Sequence, residues 1–255
     1  MSVHEVAASG FDAEAEAYER ARPTYPADAV AWLTDGLGLE PARTAADVAA
    51  GTGKLTRLLV PSGVSLLAVE PVSGMRAFLR STCPGVPVVA GTAELLPFAD
   101  GSLDAITVAQ AFHWFDAHAA LREFHRVLRP GGRVGLVWNA RDRNVSWVDT
   151  MWSIMDEVEK RGPSRDHEQR RERAFEDQPW FTPPTEAIFY HEQLLTHDEA
   201  VDRMRSVSHI AVLPPDEQEA VLARVRAALD ADPATVGHER VALPYRVDAY
   251  WAERR

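Results

Sequence analysis

The chain has 255 residues, 46% hydrophobic and 25% charged, enough to bury a sizeable core as one large domain or a core with a modest addition. Its 38 acidic residues outnumber 27 basic ones, a formal net charge of -11, which argues against a general nucleic-acid binder needing a basic face for phosphates. The single cysteine, Cys83, rules out an internal disulfide and a thiolate metal cluster, and no apolar run approaches the roughly 20 residues needed to cross a bilayer.

Met1 to Ala17 is acidic and lacks the charged-then-apolar layout of a signal peptide, so cytoplasmic residence is expected. Residues 11 to 38 carry helical signals interrupted at Pro23 and Pro26, with Val30, Leu33 and Leu37 at helical spacing. Gly36, Gly38 and Pro41 punctuate the chain. From Thr44 short apolar strands are predicted at 44–49, 64–69, 86–90, 103–109 and 133–138, with helices at about 53–60, 73–82 and 117–129 between them. Strands separated by helices imply right-handed crossovers and a mostly parallel sheet.

Ser73 is placed to cap the helix Gly74 to Thr82, and Pro130-Gly131-Gly132 to stop the helix ending near 129. Residues 146–160 read as a helix with a broad apolar surface from Trp147, Met151, Trp152, Ile154, Met155 and Val158. Lys160 to Asp177 is dense in both charges, either a solvated helix or mobile lid, or a substrate-gating segment. A strand near 186–193 leads to helices at about 197–208 and 215–230. A period-2 strand then runs from Tyr245 to Trp251, with Pro244 suited to its first position.

The chemistry concentrates in Asp47-Val-Ala-Ala-Gly51-Thr-Gly53 and in Glu70, which ends the second strand. A strand, a glycine turn, a helix and a second strand tipped with a carboxylate form the half-fold that grips an adenosine-containing cofactor. Glycines let the backbone approach the ligand, and the carboxylate accepts hydrogen bonds from ribose hydroxyls. Nicotinamide and flavin enzymes use the same device. A nicotinamide dehydrogenase, however, would want a third glycine where Thr56 stands.

With three further segments, the pattern resembles class I S-adenosylmethionine-dependent methyltransferases of the small-molecule, type 11-like group, over nearly the whole chain from about Phe11. Gly91-Thr-Ala-Glu94-Leu-Leu-Pro97-Phe98 is similar to the family's adenine-framing segment. Ala99-Asp-Gly-Ser-Leu-Asp104 resembles its lead into the fourth strand, and Val127-Leu-Arg-Pro-Gly-Gly132 its turn before the fifth. Ala49 stands where the family's first glycine usually sits, and Thr92 where it often has Asp or Asn.

The resemblance implies an α/β fold: a Rossmann-like seven-stranded, mostly parallel sheet, last strand antiparallel, flanked by helices. It implies one domain over 1–255, with its core at about 40–139 and 185–255 and a small helical cover from about 1–40 and 140–185. It implies S-adenosyl-L-methionine as cofactor and a small-molecule acceptor, a carboxylate or an aromatic or apolar metabolite. The alternative is a non-catalytic partner or sensor that binds the cofactor. No metal, nucleic acid or membrane is implied, and the protein is expected as a monomer or homodimer.

Residue by residue, the resemblance puts Gly51, Thr52 and Gly53 beside the methionine portion and ribose, and Glu70 on the ribose hydroxyls. Pro71 and Met75 flank the adenine, unless Met75 is core. Asp47 sits near the amino group or ties down the loop's amides. Thr92 and Ala93 frame the adenine, with Glu94 reaching its amine or capping a helix. Ligands collect at the C-terminal edge of parallel strands, where Gln110, His113 and Trp114 fall. His113 is the candidate base if the acceptor must lose a proton; otherwise it bonds cofactor or backbone or supports Trp114. Tyr18 belongs to an N-terminal segment that resembles a helix folding over the cofactor. Arg22, Tyr25, Trp138, Asn139 and Arg141 fall on the acceptor side, where Arg22 and Arg141 suit a carboxylate. The aromatic residues Trp114, Phe115, Trp138, Trp147 and Trp152 are either core or the wall of an apolar acceptor site.

Overall fold

The structure is a computed structural model that describes residues 19, 21–159, 175, 176 and 178–255, without the side chains of 141, 159 and 208. Tyr18, Phe11 and nearly all of the charged segment 160–177 therefore lie outside the described residues.

Helix α1 (Ala27–Leu37) precedes strand β1 (Thr44–Val48), followed by α2 (Lys54–Leu59), β2 (Ser65–Val69), α3 (Ser73–Thr82) and the short β3 (Val88–Val89). Strand β4 (Leu103–Ala109), helix α4 (Ala117–Val127) and strand β5 (Leu128–Arg141) complete the alternating part. Helix α5 (Ser146–Glu159), strand β6 (Thr185–Leu195), helices α6 (His197–Arg205), α7 (Ser208–Ala211) and α8 (Pro215–Ala231), and strand β7 (Val241–Glu253) follow.

The seven strands form one sheet in the order β3-β2-β1-β4-β5-β7-β6. β1 pairs parallel with both β2 and β4, β2 with β3, and β4 with β5. β7 inserts between β5 and β6, antiparallel to both. The order reverses between β1 and β4, so their C-terminal ends open the crevice where ligands bind in this architecture. Central strands must be apolar on both faces, and Ala45, Ala46, Ala105, Ile106 and Val108 are all buried.

One face of the sheet packs on α4 through Leu121 and Phe124. The other carries α1, through Ala29, Leu33 and Leu37. At the β6 end a second core joins α5, α6 and α8 to Leu243 and Tyr245 of β7. Trp147, Trp152 and Met155 are consumed in that core, so α5 packs on helices rather than spreading an aromatic surface over a cleft.

The local readings shift in three places. Val72, not Ser73, occupies the N-cap of α3, and the Val72 side chain makes no capping hydrogen bond. β5 begins at Leu128, so Pro130-Gly131-Gly132 is an irregularity inside the strand: the pairing with β4 jumps from Leu103↔Leu128 to Ala105↔Arg133. Pro244 lies inside β7 rather than at its start, one residue before Tyr245, where the pairing with β5 ends. One side of the strand is open there, which accommodates a residue without an N–H.

Candidate active site

The turn after β1 is built around a buried carboxylate. Asp47 is 1% exposed; its Oδ1 accepts a hydrogen bond from the Thr107 hydroxyl at 2.8 Å and its Oδ2 one from the Thr56 hydroxyl at 2.5 Å. It thereby joins β1 to β4 and to α2. Burial pushes its pKa up to about 6, against the opposing pull of the threonine hydrogen bonds.

Beyond it, Ala49, Gly51 and Gly53 all adopt left-handed backbone, with φ of 54°, 58° and 85°. A Cβ on Gly51 would meet nothing within 4 Å, so the turn is open on that side. A Cβ on Gly53 would lie 3.0 Å from Leu79 Cγ and 3.3 Å from Cys83 Sγ, so this glycine lets the loop close onto α3.

Glu70 faces the same turn. At 4% exposure, its Oε2 accepts from the Gly51 amide at 2.9 Å and its Oε1 from the Val72 amide at 2.8 Å. Burial raises its pKa, while the two amides and Arg76 oppose the shift. Each oxygen of an ionised carboxylate has room for a second donor. Arg76 fixes the turn from outside by donating to the carbonyls of Glu70 and Pro71, at 2.9 and 2.6 Å.

Pro71 is exposed, whereas Met75 and Ala93 are buried. Thr92 bridges to Leu95. Glu94 Oε1 accepts from the amide of Asp116 at 3.1 Å, and Asp116 in turn caps α4 through Ala119 at 3.0 Å. Glu94 is thus tied to the start of α4.

At the ends of β4 and β5, Gln110 takes a left-handed φ of 56°, and its side chain donates to the Asn139 carbonyl at 3.4 Å. A residue with a Cβ in this region is strained, and strain of this kind gathers at functional sites. His113 and Trp114 follow in a 3-10 turn, their ring centroids 5.0 Å apart. Asn139 donates to the Thr24 carbonyl at 3.1 Å, and its Oδ1 pairs with His191 Nε2 at 2.7 Å. Trp138, one residue earlier, points to the opposite face: 4% exposed, it packs edge-on against Tyr250 in the core. Tyr25 is buried with α1. Arg22 donates to the Ser206 carbonyl at 2.7 Å. The side chain of Arg141 lies outside the description, although its backbone ends β5.

Two groups escaped the sequence reading. Glu19 accepts from the Thr52 hydroxyl at 2.5 Å and pairs with Lys54 at 3.3 Å and with Arg57. Through Glu19 and Thr24, the described residues 19 and 21–25 strap the glycine turn to the end of β5, where Thr24 meets Asn139. His191 stacks on Tyr245 at 5.3 Å. Burial lowers its pKa despite Asp28, so the ring is neutral at neutral pH. A signal for His191 existed: it shares the inward parity of Phe189 and Leu195 in β6.

Among the described residues, no three or more His, Cys, Asp or Glu side chains gather as a metal site, and no helix is long and apolar enough to cross a membrane. An open cleft of about 640 Å³ lined by Arg122, Arg126 and Arg254 lies elsewhere, by α4 and the start of β5, and shares no residue with the glycine turn.

Sheet order, open glycine turn and buried Glu70 together define a nucleoside-cofactor fold of the doubly wound type. Residues 46–136 match the family model described as a methyltransferase domain. An uncharacterized methyltransferase of Mycobacterium bovis is 39% identical over 92% of this chain and 91% of its own. An uncharacterized methyltransferase-like protein of Schizosaccharomyces pombe is 32% identical over 96% and 95%. Among solved structures, the YcgJ protein of Bacillus subtilis superposes with a TM-score of 0.60 at 18% identity, covering 89% of this chain and 98% of that one. The chain belongs to the class I S-adenosylmethionine-dependent methyltransferases.

Proposed function

We propose that the protein binds S-adenosyl-L-methionine between the ends of β1, β2 and β4 and transfers its methyl group to a small-molecule acceptor held beyond β5. The observation that carries this reading is the carboxylate of Glu70 joined to the amide of Gly51 at 2.9 Å, beside a turn left open by its glycine. The residues present fit the cofactor: Gly51 has no Cβ to fill the space above the turn, and both Glu70 oxygens retain a lone pair for the vicinal ribose hydroxyls. Thr52 and Gly53 line the same turn. Buried Met75 and Ala93 form apolar flooring for the adenine.

The bound cofactor supplies an electrophilic methyl group on a sulfur leaving group. This chain's residues then contribute alignment more than acid–base chemistry. Gln110, locked to the β5 end through Asn139, and the His113–Trp114 turn fix the rim where the two reactants meet. His113 serves as base where the acceptor carries a proton to be lost. Asp47, with both oxygens held by threonines, supports the turn from beneath.

The test is transfer of labelled methyl from the cofactor to a panel of carboxylic acids and phenols. Labelled product from one class supports the reading and selects the acceptor. Tight cofactor binding with no product from any small molecule would favour the sensor role instead.

A further inference from the structure

Arg203 of α6 is a buried cation without a counter-charge among the described residues. It is 5% exposed; its Nε donates to the Tyr245 hydroxyl at 3.1 Å, and its guanidinium carbon sits 5.7 Å from the centre of the Trp152 ring. Its Nη1 is fully buried and has no hydrogen-bond partner. Among the described residues it forms no ion pair. A guanidinium stays charged throughout the range in which proteins are folded. In that core only a phenol hydroxyl and an indole face stand beside the guanidinium, which leaves its desolvation uncompensated. Most buried charges are paired, so this one calls for an anion.

The surroundings place that anion on the acceptor side. Tyr245 pairs across the sheet with Arg141 at the end of β5 and with His191 on β6. Its hydroxyl donates to Gln193 at 3.3 Å, and the Gln193 amide donates to the Ala21 carbonyl at 3.3 Å. Its ring stacks on His191, which is bonded to Asn139. A chain of contacts thus runs from Arg203 to Ala21 of the strap and to the rim of the site. Arg22, from the strap, reaches Ser206 just beyond α6, so two arginines converge on one end of that helix.

We infer that Arg203 anchors a carboxylate on the methyl acceptor, admitted beneath the strap; the inference rests on the methyltransferase reading above. A planar carboxylate suits the two N–H donors of the orphaned Nη1, whereas a phosphate would call for more donors.

The test uses the full chain saturated with demethylated cofactor, S-adenosyl-L-homocysteine. Its melting temperature is followed against malonate or benzoate, with sodium chloride and inorganic phosphate as controls at matched ionic strength. The wild type should gain stability saturably with the carboxylates. Arg203→Met should weaken that response at least tenfold, keep its cofactor affinity, and be no less stable without ligand. Arg203→Lys, which retains the charge but not the fork, should fall between the two. Once an acceptor is known, Arg203→Met should raise KM about tenfold or more with kcat little changed. A wild type that responds to carboxylates no more than to chloride overturns the inference. So does an Arg203→Met protein that responds as the wild type does, or one that is grossly destabilised, which would make the arginine structural. Failure of the wild type to bind the cofactor, read separately by calorimetry, would instead remove the methyltransferase reading.

Discussion

Asp47→Asn should convert a pH-sensitive fold into a less sensitive one. The folded-state pKa of Asp47 stands at about 6 against an ordinary 3.8, because burial outweighs its threonine hydrogen bonds. A raised carboxylate pKa means that the fold disfavours the ionised form. The group's contribution to stability is therefore fully present below about pH 4 and is lost as pH rises through 6. The full difference corresponds to about 3 kcal/mol. Most of the range below pH 5 is confounded by other carboxylates, so the useful window is pH 5 to 8. Across it, the wild type should lose about 1–2 kcal/mol relative to Asp47→Asn. The comparison is a double difference, so any fixed cost of re-forming the bonds to Thr56 and Thr107 cancels. Urea unfolding of both proteins at pH 5, 6, 7 and 8 reads it directly. Parallel stability profiles would refute the reasoning, since Asp47 would then titrate no differently in the folded and unfolded chain.

Other consequences follow from the strap and the turn. Glu19→Gln removes the charge that holds Thr52, Lys54 and Arg57 to the strap; it should weaken cofactor binding about 3- to 30-fold by calorimetry while leaving the melting temperature within a few degrees. An unchanged affinity would mean that the strap plays no part in holding the cofactor. Ala49→Gly relieves a left-handed alanine and should stabilise the fold by up to about 1 kcal/mol, since the steric relief of about 1–2 kcal/mol exceeds the added freedom of the unfolded chain. A loss of stability in thermal unfolding would show that Ala49 makes packing contacts which outweigh its strain.

Much of the fold was legible because its code is local. The alternation of apolar strands and helices, the glycine turn and the carboxylate at the end of β2 follow from residues close in sequence, and the sheet has the seven strands expected. Side-chain facing was less readable. Trp138 and Asn139 are neighbours on β5, a strand buried on both faces, so apolar content there does not say which residue looks toward the helices and which toward the rim. Glu19 meets its partners across 33 to 38 residues, and His191 meets Asn139 across 52. No periodicity encodes such pairs; they exist only after the sheet has assembled. Arg203 reads as one more charge on an amphipathic helix, and only the assembled structure shows it buried with an orphaned nitrogen.

The most direct measurement is calorimetric titration of S-adenosyl-L-homocysteine into the wild type and into Glu70→Ala. Loss of the ribose contacts should cost about 2–3 kcal/mol, a 30- to 150-fold weakening, with the variant still folded by circular dichroism. Equal affinity in the two proteins, or no binding by the wild type, would contradict the placement of the nucleoside at the end of β2.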